Sequence, residues 1–245
     1  MQINKFFLSV LMTGALVACG GGGDDSSDPG PGTGTAPETS PTVSTANYKN
    51  FVFTNLVANL GTPLAPDIVA PINAAGNING VVTVGSLTGT LKPTADGGYV
   101  ASGDFTRILT RSGAVQVCRG INNAFTKSQF VLVPPDAVAV PRSELVGKTL
   151  YIHEDCNQSL LDAKFTYNND GSATLYEGST GAGEAVSASA IADLFGSGHT
   201  EVQDGTSQTV TFRAFKRNGQ YFVVEQGAPT SGVGGTGYVS LWAID

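Results

Sequence analysis

The sequence is short of charge, histidine and sulfur. Only 13% of its 245 residues are charged, and it holds two His, one Trp, two Met and three Cys. Each shortage closes off a class of function. Thirteen basic against twenty acidic side chains give a net charge of −7, which argues against an electrostatic role on nucleic acid or on an anionic bilayer surface. His153 and His199 are too far apart for a metal centre built from local spacing, and no His-Glu-x-x-His or Cys-x-x-Cys occurs. No Ser carries glycines two positions before and after it, so a nucleophile elbow is absent, as is any Ser-x-x-Lys. Gly232-Val-Gly-Gly-Thr-Gly237 matches a phosphate-binding glycine pattern but lacks the helix that must follow it, and reads as a loop. The expectation is therefore no cofactor and no metal. No apolar run reaches eighteen residues, so no transmembrane helix is expected.

What the chain does hold is 32 Gly, 12 Pro and a 41% hydrophobic fraction, enough to bury a core. At the N-terminus one Lys precedes an apolar run from Phe6 to Leu16, then Val17-Ala18 and Cys19, the pattern of a signal peptide over residues 1–18. Leu16-Val17-Ala18-Cys19 resembles the lipobox of bacterial lipoproteins. That resemblance implies that Cys19 is lipidated, palmitate included, and becomes the new N-terminus. It also implies the outer membrane, because Gly20 stands where inner-membrane retention uses aspartate. One acyl chain holds a protein only marginally, whereas two or more give a stable anchor.

Residues 20–47 contain seven Gly, four Pro, four Ser and five Thr, with one Val and no aromatic residue. Such a segment cannot offset the entropy of ordering it and reads as a disordered tether with a span of roughly 30 Å. From Tyr48 to Asp245 the texture changes to short Val, Thr, Phe and Tyr runs broken by Gly, Asn and Asp. The strongest signal is Thr209 to Lys216 and Tyr221 to Glu225 around Asn218-Gly219, a two-residue hairpin that pairs Phe215 with Phe222 and Ala214 with Val223. Its core face is Val210, Phe212, Ala214, Tyr221 and Val223. Further turns are expected near Gly97, Gly113 and Gly171, with strands at Val81 to Val84, Tyr99 to Ile108, Val115 to Cys118, Phe130 to Val133, Thr149 to His153, Lys164 to Tyr167, Ala173 to Tyr176 and Tyr238 to Ile244. One helix is predicted over Ala188 to Phe195, capped by Ser187 and ended by Gly196. The expected fold is all-β, an antiparallel barrel or sandwich with one short helix. Prolines 134, 135 and 141 mark a division into halves, 48–141 and 142–245.

Cys118 and Cys156 form an even pair in an oxidising compartment and are expected to be disulfide-bonded. The densest reactive cluster is His153-Glu-Asp-Cys156. Asn168-Asn-Asp-Gly171 lacks the spaced carboxylates of a calcium loop and reads as a turn. The functional expectation is an outer-membrane, lipid-anchored lipoprotein that is not an enzyme. It would present a β-rich binding or structural module to a protein, glycan or small ligand, or join an envelope assembly. Its membrane contact is the lipid on Cys19, with no nucleic-acid partner. The alternative is an envelope-acting enzyme with a site near His153, Glu154 and Asp155.

Overall fold

The computed structural model describes residues 51–54, 68–69, 79–84, 86–95, 99–119, 127–134, 136–153, 156, 161–178, 180–203, 206–229 and 238–244. The signal segment, Cys19, the tether, Glu154, Asp155 and the Gly232 to Gly237 loop lie outside them. The fold is all-β, with antiparallel sheets stacked as a sandwich and one short helix.

β1 (Phe51–Thr54) pairs with a strand that comes much later. β2 (Ile68–Val69), β3 (Gly80–Val84), β4 (Leu87–Pro93) and β5 (Tyr99–Gly103) make the first sheet, in chain order. β6 (Phe105–Arg111), β7 (Ala114–Arg119) and β8 (Lys127–Val133) join β1 in the second, ordered β1-β8-β7-β6. The stretch from Tyr99 that reads as one strand is broken at Asp104. Gly103 turns there with a φ of 78°, and the Asp104 carboxylate accepts from the Thr88 amide at 2.8 Å. Ser112 and Gly113 both take positive φ, 50° and 80°, which closes the β6–β7 hairpin in two residues.

The third sheet takes β9 (Val138–Ala139), β10 (Thr149–His153), β11 (Leu161–Tyr167), β12 (Ala173–Glu177) and β13 (Gly183–Val186). After α1 (Ala188–Phe195) come β14 (His199–Gln203), β15 (Thr206–Arg217), β16 (Gln220–Pro229) and β17 (Tyr238–Ala243). Its order is β13-β12-β11-β10-β17-β16-β15-β14, with β9 on the edge of β15. The sheet folds over so that its two arms share one core, including Leu150, Phe165, Tyr167 and Leu175 from one arm and Val210, Phe212, Val223 and Trp242 from the other. It does not close: β13 and β14, at its two ends, do not pair with each other, and α1 connects them in the chain with Ile191, Leu194 and Phe195 turned inward. Ser187 caps α1 by accepting from the Ala190 amide at 3.2 Å.

Alternation on β7 and β8 makes the second sheet the filling of the sandwich. Val115, Val117, Phe130 and Leu132 face Val82 and Leu91 of the first sheet, with Phe105 edge-on to Phe130 at 5.2 Å. Ala114, Val131 and Val133 face the opposite way, onto Phe215, Phe222, Val224, Val239, Leu241 and Ala243. β16 and β17 are thus buried on both faces, which is why they read as near-continuous apolar runs.

Candidate functional site

The expected disulfide is present. Cys118 on β7 is bonded to Cys156, just past β10, with Cα atoms 6.1 Å apart, and both pack against Leu109. It joins the second sheet to the third. His153, at the end of β10, is buried at 5% exposure. Arg111 and Gln116, on the neighbouring strands β6 and β7, are also buried, and burial lowers the pKa of the Arg111 guanidinium. His199 opens β14, which β15, β16 and β17 separate from β10, so the fold does not place the two histidines on neighbouring strands. Among the described residues, no three His, Cys, Asp or Glu side chains gather as metal ligands.

The chemistry concentrated by the fold lies instead on β16 and β17. Glu225 shares the inward alternation of Tyr221 and Val223, and its register partners are Phe212 on β15 and Ser240 on β17. The residues two before and two after Ser240 are therefore its diagonal neighbours, and both turn towards it. Tyr238 donates its hydroxyl to Glu225 Oε1 at 2.7 Å, and Trp242 donates Nε1–H to Oε2 at 2.5 Å. Glu225 is fully buried, with 0% exposure. Gly227, opposite Tyr238, makes this geometry available: a Cβ there would collide with the Tyr238 ring.

Glu225 sits in an aromatic shell. Trp242 meets Phe165 at 5.7 Å and Phe212 at 6.4 Å, and Phe195 of α1 closes on Phe212 at 5.5 Å. Burial pushes the Glu225 carboxyl up to about 7, outweighing the hydrogen bonds from Tyr238 and Trp242 that favour its charge. The Tyr167 phenol is held well above its ordinary value, by burial first and by the Glu225 charge second. A carboxyl poised near neutrality can take up or release a proton without leaving the core.

A second polar group ties the hairpin to the 3-10 turn at Arg142–Leu145. Tyr221 donates to Glu144 Oε2 at 3.0 Å, and Lys216 reaches the same oxygen at 3.3 Å. The ammonium of Lys148 lies 4.4 Å from the Tyr221 ring centre and that of Lys216 5.0 Å.

Sequence reasoning missed Glu225, Tyr238 and Trp242 as a group. The signal was there: an alternation that puts Tyr221 and Val223 in the core puts a carboxylate at position 225 there too. No family model matches the chain, and neither does any curated protein or solved structure.

Proposed function

We propose that the chain is an outer-membrane lipoprotein that carries its β body on a lipidated Cys19 and a flexible leash, and presents that body as a binding or structural module. The observation that carries this reading is the order of segments: an apolar export signal, Leu16-Val17-Ala18-Cys19, twenty-eight Gly-, Pro-, Ser- and Thr-rich residues, then the sandwich. The Cys118–Cys156 bond supports it, since such bonds persist in oxidising compartments. The stacked layers favour presentation of a rigid surface. An enzyme centred on His153, Glu154 and Asp155 draws less support, because the His153 side chain is buried and His199 begins a strand elsewhere in the sheet.

Growth of a bacterial host with radiolabelled palmitate tests the anchor. Label is expected on the wild-type protein and not on Cys19→Ala, which should partition with the soluble fraction. Label on the Cys19→Ala protein would refute the reading.

A further inference from the structure

β15 carries three cations, and two of them meet carboxylates: Lys216 reaches Glu144 at 3.3 Å and Arg217 reaches Asp136 at 2.8 Å. Among the described residues the third, Arg213, has no carboxylate within ion-pair reach. Its Nη1–H donates to the carbonyl of Phe212 at 2.9 Å, which lays the guanidinium back along the strand towards residue 211. Burial lowers its pKa, yet a guanidinium stays charged, so this half-buried cation is under-solvated. Thr211, two residues earlier on the same face, is buried at 2% exposure. Neither Arg213 Nε nor Thr211 Oγ1 has a hydrogen-bond partner among the described residues. Two unused donors therefore stand side by side at a place where proteins ordinarily satisfy both.

The fold leaves the strand edge open at these residues. The ladder of β14 on β15 ends at Val210, and β9 takes up the same edge at Phe215, with the Val140 amide donating to the Ala214 carbonyl at 3.0 Å. Residues 211–213 are thus a break in that edge, occupied by no described strand. Gly198 borders the break, where a Cβ would strike the Thr209 and Thr211 methyls. Arg213 is only half-buried, so a ligand can reach its guanidinium from solvent. We propose that this break is a binding site for a small carboxylate, which pairs with the Arg213 guanidinium and takes the Thr211 hydroxyl as its second donor. Residues two apart on a strand stand about 7 Å from one another, the span of a carboxylate with a hydrogen bond at each end. One cation matches one negative charge, whereas a phosphate dianion would leave a charge unmatched. The site deepens the reading of the body as a binding module and rests on it, but it is independent of the lipid on Cys19.

A nitrogen–proton correlation spectrum of the full-length protein tests it, because a buried arginine Nε–H gives its own cross-peak, assigned by its loss in Arg213→Lys. Acetate replacing chloride at constant ionic strength should shift that peak saturably in the millimolar range, and inorganic phosphate should shift it less. Should Arg213→Lys not fold, the backbone amides of residues 211–213 carry the titration. Thr211→Val should weaken acetate binding several-fold and also raise the urea midpoint of the free protein, because it removes a buried hydroxyl that has no partner among the described residues. A hydroxyl kept only for the fold would lower that midpoint on removal. No saturable shift, a shift that chloride reproduces, tighter binding of phosphate than of acetate, or an acetate affinity unchanged in Thr211→Val would each overturn the site. The palmitate experiment reads separately: acetate binding with no label on Cys19 would overturn the anchor and leave the site standing, and label without acetate binding would do the opposite.

Discussion

Glu225 is one uncharged-looking position in an apolar strand that happens to be an acid, and its energetic weight follows from that. The unfolded chain ionises this group near 4.5, and the folded protein near 7. A folded-state value raised above the unfolded one contributes stability that is complete below about 4.5 and is lost as pH climbs towards 7. Between pH 4 and pH 8 the wild type should therefore lose about 3 kcal/mol from this group, an order-of-magnitude figure for a fully buried acid. Glu225→Gln, whose amide mimics the protonated acid, should remove that part of the slope. Urea unfolding of both proteins across the range checks it, and parallel curves would refute it. The carboxyl's burial was legible from strand parity, since residues 221, 223 and 225 share a face. The convergence of Tyr238 and Trp242 was not, because it depends on β17 pairing with β16 in a register fixed by a hydrogen-bond ladder rather than by any pattern within β17 alone.

Elements were legible where turn chemistry is strict. The β15–β16 hairpin takes the expected register, Phe215 against Phe222 and Ala214 against Val223, because Asn218 and Gly219 adopt φ of 49° and 80°. Gly219 has nothing within 4 Å of where a Cβ would stand, so Gly219→Ala isolates the backbone penalty. It should cost roughly 1–2 kcal/mol, measured by chemical denaturation, with the hairpin register unchanged. The helix likewise begins and ends at the residues its cap and terminal glycine indicate. Less legible were β9, β13 and β14, short edge strands such as Gly183-Glu-Ala-Val186 whose composition carries no alternating apolar signal. They are strands because a neighbour supplies the ladder. β16 also runs on to Pro229, four residues beyond Glu225, the last residue of the expected strand.

On the scale of the whole molecule, the disulfide and the shared core hold the same two layers together. Removing both sulfurs in Cys118→Ser, Cys156→Ser should cost about 4 kcal/mol in the chain-entropy account, read from urea midpoints. The double variant should still fold, because the core between the second and third sheets remains. The Pro-rich connection follows β8 of the second sheet and itself holds β9 of the third. It did not reveal that the layers pack into a common core, because contacts such as Val131 and Val133 with Leu241 join residues more than a hundred positions apart. That core imposes an order in time on a chain made from its N-terminus. When β7 and β8 emerge, one of their faces has nothing to lie against until β16 and β17 have been synthesised, some ninety residues later. Cys118 likewise waits for Cys156. Through that interval the nascent chain shows an apolar sheet face and a free thiol together, so its yield should depend on chaperone occupancy and on late oxidation more than on the stability of the finished protein.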